Sequence, residues 1–132
     1  MSPEWRRDIR TETDASRAVL ESTLYSREAG FDETPSRMIA TAVSELARNI
    51  LKYAGSGEIH LRPAKKMGAR GIEIEAIDRG PGIDDCETAM QDHFSTSGTL
   101  GLGLPAVKRM MDEFSLESTP GEGTRVTARK WI

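Results

Sequence analysis

One segment, ETPSRMIATAVSELARNILKYAGSG at residues 33–57, limits the possible folds more than any other. Thr34 is placed to cap a helix and Pro35 to occupy its first position, where a missing N–H costs nothing, while Gly55 supplies the stop. The helix expected over residues 35–54 is about 30 Å long at 1.5 Å per residue. At 100° per residue it gathers Ile39, Val43, Leu46 and Ile50 into one arc, so it needs a broad apolar surface to lie on. Glu45, Asn49 and Lys52 fall within about 60° of one another on its flank. Taken alone, that trio suits the solvated edge of a core helix as well as an edge turned toward a ligand.

The surface for this helix is expected from strands. Residues 58–62 alternate with Ile59 and Leu61 on one face, and residues 71–78 with Ile72, Ile74 and Ala76 on one face. The intervening KKMGARG, residues 65–71, reads as a hairpin loop. A first strand is expected over residues 5–11, then a helix over 13–29 with Thr13 or Asp14 as its cap and Gly30 as its stop. Val107, Met110, Met111 and Phe114 fall at helical spacing after Pro105, and FSLES and GTRVTARKWI read as a closing hairpin around TPGEG. Strands that alternate, rather than run continuously apolar, bury one face and show the other to water. The expected fold class is therefore an α+β two-layer sandwich, with a mixed, mostly antiparallel sheet covered on one face by helices.

Composition removes several classes of function. At 132 residues with 37% hydrophobic and 30% charged side chains, the chain suits one soluble domain spanning residues 1–132. A net charge of −3, with Arg and Lys scattered among acids, leaves no basic footprint for nucleic acid. No stretch is long and apolar enough to span a membrane, and MSPEWRRDIR lacks the apolar core of a signal peptide, so a cytoplasmic location is expected. The lone Cys86 makes no internal disulfide, and His60 and His93 have no partner at metal-ligand spacing. Trp5 and Trp131 are expected to pack on the sheet, with an interface role as the alternative.

Two motifs point to chemistry. DRGPGI, residues 78–83, puts an acid and two glycines at the end of an expected strand. GTLGLGLPAVKRMMDEF, from Gly98, sets three glycines at intervals of three and two before a helix. Such a turn presents bare N–H groups at the positive end of the helix dipole, which favours a phosphate. Gly101, Gly103 and Ala106 also satisfy G-x-G-x-x-A. A dinucleotide-binding fold, however, needs a strand before the glycines and more chain after them than the roughly 30 residues available. A Walker A loop and the protein-kinase signatures are absent.

ELARNILKYAG, DRGPGI, GTLGLGL and GEGT, in this order, resemble the N, G1, G2 and final Gly-Thr boxes of the GHKL ATP-binding superfamily, whose shared architecture is the Bergerat fold. SELARNI, STS, LGLGLP and RMMDEF make the chain similar to the branch of small bacterial anti-sigma-factor and switch serine kinases. The resemblance implies ATP and Mg²⁺ as cofactors. It implies that Asp78 accepts a hydrogen bond from the adenine amine, that Gly80 and Gly82 let the purine lie against the backbone, and that Thr124 helps hold the same acid. A carboxylate only accepts, so a guanine carbonyl would face it unfavourably. Asn49 corresponds to the Mg²⁺ ligand and Glu45 to the catalytic residue that polarises the attacking oxygen. Gly98, Gly101, Leu102, Gly103 and Leu104 correspond to the phosphate-binding turn, with Lys52 near the phosphates and residues 84–98 as an ATP lid.

The same resemblance implies a serine/threonine-protein kinase of a partner-switching, stressosome-type module. Its substrates would be STAS-domain antagonist or scaffold proteins, and its output a PP2C-type phosphatase or another downstream protein. The alternative is an ATP-binding anti-sigma factor or a non-catalytic partner-switching binder. A complete histidine kinase is not expected, because neither His60 nor His93 lies on a dimerisation helix.

Overall fold

In the computed structural model, which describes residues 3–82 and 103–132, five strands and three helices form a helical layer on a single sheet. In chain order these are β1 (Trp5–Ile9), α1 (Glu12–Ala29), α2 (Glu33–Tyr53), β2 (Gly57–Lys66), β3 (Ala69–Asp78), α3 (Gly103–Met110), β4 (Glu113–Thr119) and β5 (Gly123–Trp131). The sheet order is β1-β2-β3-β5-β4 and all four pairings are antiparallel, so the mixed character expected of the sheet is absent among the described residues.

The alternation read in the sequence decides which face is buried. Ile59, Leu61, Ile72 and Ile74 are fully buried and meet Ile39, Val43, Leu46 and Ile50 of α2, with Val107 of α3 joining the same core. Burial of each such side chain contributes about 1.5–3 kcal/mol. The other face is charged. Arg62, Glu73, Arg129 and Glu113 stand in one row across β2, β3, β5 and β4, and Arg62 and Arg129 both bond Glu73. Glu75 accepts from Arg62 and Arg125 and is only 5% exposed.

Several boundaries differ from the sequence reading. Thr11, not Thr13 or Asp14, caps α1: the Asp14 N–H donates to Thr11 Oγ1 at 3.1 Å and the Thr11 N–H to Asp14 Oδ2 at 3.2 Å, a reciprocal capping box. Asp14, one of the two residues expected as the cap, is thus its third-position partner. α2 begins at Glu33 with Asp32 as N-cap, so Pro35 is its third residue rather than its first. That is still within the first turn, where no N–H is owed to an intrahelical carbonyl. α3 stops at Met110, and Phe114 reaches the core from β4, opposite Ala128. A stripe at 107, 110 and 111 fits one helical face, but Lys130 Nζ bonds the Met110 carbonyl and the Asp112 N–H bonds the Arg129 carbonyl, handing the chain over to the sheet. The β2–β3 turn is tighter than expected, with only Met67 and Gly68 outside the strands, both at positive φ (50° and 86°). That is the two-residue hairpin geometry whose twist matches the strands.

Candidate functional site

Asp78 is the last residue of β3, the central strand, and is paired with Gly57 on one side and Thr124 on the other. The chain then turns sharply: the Gly80 N–H donates to Asp78 Oδ1 at 2.9 Å, which fixes the carboxylate by an Asx turn. Among the described residues its second oxygen, Oδ2, has no hydrogen-bond partner, leaving a half-buried acceptor available to a donor from outside.

Gly57, Gly80 and Gly123 approach this acid closely. A Cβ on Gly57 would lie 2.9 Å from Ile50 Cγ2 and 3.2 Å from Asp78 Cβ, and one on Gly80 would lie 2.6 Å from the Ala54 Cβ at the end of α2. Gly82 has φ +79° and sits against the Thr119 carbonyl, with the Gly121 N–H donating to the Pro81 carbonyl at 2.7 Å. Packing against protein atoms therefore accounts for Gly80 and Gly82 without any ligand. Thr124 is buried, and its hydroxyl pairs with Ser118 Oγ at 2.9 Å, so it faces Asp78 through strand register.

α2 supplies the remaining side chains. Glu45 and Asn49, one turn apart, are both partly buried. The Glu45 side chain is 12% exposed and lies 3.7 Å from the guanidinium of Arg48, itself 59% exposed, a pairing too long and too wet to neutralise it. Lys52 lies in the last turn, where a cation complements the helix dipole, with its ammonium 5.1 Å from the centre of the Tyr53 ring. Gly103 opens α3, and a Cβ there would meet no atom of the described residues within 4 Å. Leu104 is buried in the common core, which places its side chain in packing rather than in a crevice.

No group of three His, Cys, Asp or Glu side chains able to hold a metal occurs among the described residues. One amide oxygen, from Asn49, suits Mg²⁺, which keeps most of its coordination for waters and phosphates. The free oxygen of Asp78 suits an amine donor, and the N-terminal end of α3 suits an anion. Gly98, Gly101, Leu102 and the expected lid at residues 84–98 lie outside the described residues, as do Cys86 and His93.

Sequence reasoning missed Gly57, Ser118 and Gly123 around Asp78, and the acids of the open sheet face. The signal for the latter was present, since Glu73 and Glu75 alternate with Ile72, Ile74 and Ala76, but its partners emerge only once strands are paired. His60 bonds Glu58 at 3.0 Å, while Trp5 and Trp131 donate to Glu21 and Glu113, as expected of side chains packed on the sheet.

Residues 9–130 match the family model described as a histidine kinase-like ATPase domain. The chain is 50% identical to the serine/threonine-protein kinase RsbT of Bacillus subtilis (strain 168), over 94% of this chain and 93% of that protein. It is 40% identical to the anti-sigma F factor of Thermoanaerobacter sp. (strain X514), over 71% of this chain and 68% of that one. Among solved structures it superposes on a mycobacterial sensor histidine kinase, MprB, with a TM-score of 0.58 and 19% identity, covering 98% of this chain and 97% of the other. At that identity the likeness speaks for the fold.

Proposed function

The chain belongs to the histidine kinase-like ATPase domain family, and from that premise we propose that it is an ATP- and Mg²⁺-dependent serine/threonine-protein kinase of a bacterial partner-switching module. The observation that carries the reading is the placement of two acids by one helix. α2 bears the nearly buried Glu45 on its flank, and its end packs on the turn that fixes Asp78, through Gly80 against Ala54. Ala54 lies nine positions after Glu45, about 14 Å along the axis and the scale of a nucleoside triphosphate.

In this reading Asp78 selects adenine through its free oxygen, Asn49 contributes one oxygen to the metal, and Gly103 with Gly98, Gly101, Leu102 and Leu104 surrounds the phosphates, with Lys52 nearby. The metal, when bound, offsets the charge of the phosphate oxygens. Glu45 orients the incoming Ser or Thr hydroxyl and takes its proton, a contribution of about 10²- to 10⁴-fold in rate. The substrates are STAS-domain antagonist or scaffold proteins, and phosphorylation releases the kinase toward a PP2C-type phosphatase or another output protein. The domain acts as a single unit over residues 1–132 in the cytoplasm; no described helix is long and apolar enough to cross a membrane.

The test is transfer of label from γ-labelled ATP to purified STAS-domain proteins and to their Ser/Thr→Ala versions. Label on the parent proteins, and none on the substituted ones, is expected. ATP binding without transfer would favour the second reading, an anti-sigma factor or non-catalytic binder, which the 40% identity to an anti-sigma F factor supports.

A further inference from the structure

β1 is the outer strand of the sheet at the end opposite β4. It pairs with β2 on one side, and the N–H and C=O groups along its other edge have no partner among the described residues. An open edge is a template for another strand, and charged side chains are the usual guard against such pairing. Here the guard is selective. Against a reversed copy of itself centred on Arg7, β1 sets Trp5 opposite Ile9 and Arg6 opposite Asp8. Opposite charges directly across a strand pair attract. The central Arg7 faces its own image, but each brings its own counter-charge, donating to the Glu21 carboxylate at 3.0 and 2.8 Å.

α1 extends the same symmetry above the strand. Glu21, which holds Arg7, marks the side of the helix turned to β1. Round the helix from Glu21 at about 100° per residue, away from the buried Ala15, Ala18 and Ser22, come Glu28, Arg17, Leu24 and Leu20, all exposed. Leu20 and Leu24 are one turn apart and 63% and 52% exposed, so they add little to this chain's own core. Because Glu21 is bonded to Arg7, a two-fold axis at Arg7 also passes the middle of the Leu20–Leu24 pair. About that axis Leu20 meets the partner's Leu24, and Arg17 meets the partner's Glu28. α1 touches β1, β2 and β3 and thus lies inboard of the free edge. Two copies joined at a strand spacing of about 4.8 Å therefore leave room for their α1 helices at about 8–10 Å, the distance at which helices pack.

We propose that β1 and α1 form a docking surface for a second copy of this chain. The two five-stranded sheets join through β1–β1 pairing into one continuous sheet, with Leu20 and Leu24 in the seam between the two α1 helices and Arg17–Glu28 pairs on its flanks. One patch meets itself, so the assembly closes at two copies. The inference does not rest on the kinase reading.

The test is sedimentation equilibrium of the full chain, with amide hydrogen exchange followed at low and at high concentration. The mass should rise with concentration toward twice the 14.5 kDa of one chain, and exchange at residues 5–9 should slow as it does so. Leu20→Glu combined with Leu24→Glu, both at exposed positions, should weaken association by at least about 100-fold and leave the unfolding midpoint near the parent's. Arg17→Glu and Glu28→Arg should each weaken it by about 3- to 10-fold. The double swap should recover the parent affinity, because it re-forms both ion pairs with their signs exchanged. A chain still monomeric at about 1 mM overturns the proposal. So does association that the leucine variant leaves unchanged, that the double swap does not restore, or that leaves exchange at residues 5–9 as fast as in the monomer.

Discussion

Gly123 passes Asp78 so closely that a Cβ on the glycine would overlap the aspartate's carbonyl oxygen. Its φ of +136° adds a backbone state that L side chains rarely adopt. Gly123→Ala is therefore expected to destabilise the fold by about 2–4 kcal/mol, combining strain with overpacking. Gly121→Ala, two residues earlier at φ +82° but in open space, should cost only about 1 kcal/mol. Urea unfolding of the two variants checks the contrast, and equal losses would refute it.

Asp78→Asn keeps an oxygen for the Gly80 N–H but replaces a charged acceptor with a neutral one and adds a donor. Nucleotide affinity should fall by about 10- to 100-fold, the scale of a charged hydrogen bond, while the unfolding midpoint moves little. Titration with a fluorescent ATP analogue measures the first quantity, and unchanged affinity would remove the adenine role.

Glu45→Ala removes the carboxylate and leaves Asn49 and the Asp78 turn in place. Phosphotransfer should drop by about 10²- to 10⁴-fold with nucleotide binding and partner docking largely retained. Transfer at the parent rate would mean that the base lies elsewhere.

The open face of the sheet predicts an acid sensitivity. Burial acts to raise the pKa of Glu75, but hydrogen bonds from Arg125 and Arg62 outweigh it and leave the carboxyl below its ordinary 4.5; Glu73, held by Arg62 and Arg129, behaves alike. A carboxylate more acidic in the folded than in the unfolded chain contributes stability that is complete above pH 4.5 and is lost as pH falls through the lowered value. Unfolding free energy should thus decline below pH 4.5, and Glu75→Gln should flatten that decline while costing about 1–3 kcal/mol at pH 7. An unchanged pH profile in the variant would exclude this origin.

Thr11→Ala removes one half of the capping box and should cost about 1 kcal/mol, with Thr13→Ala near neutral. The reverse order would restore the cap position expected from sequence.

The legible parts of this protein were those set by short-range periodicity. α2, the alternating strands and the glycine punctuation could be read because each depends on residues two to four apart. The boundaries were less legible, because Thr11, Thr13 and Asp14 all suit a cap, and only the direction in which the chain leaves β1 selects among them. The hairpin at Met67 and Gly68 is similar: KKMGARG announces a turn, whereas the register that shortens it to two residues belongs to the paired strands.

Sequence alone determined that Glu45 and Asn49 share a helical edge and that an acid ends an alternating strand, since both follow from the fixed period of one element. Tertiary structure decided that the end of α2 packs on the Asp78 turn, that Gly57, Gly80 and Gly123 are needed for close backbone approach there, and that three arginines hold Glu75, which is buried, and Glu73, which is half-buried. Those relationships join residues up to 56 positions apart. Proximity across such separations is set by strand pairing and core packing, which no local pattern encodes.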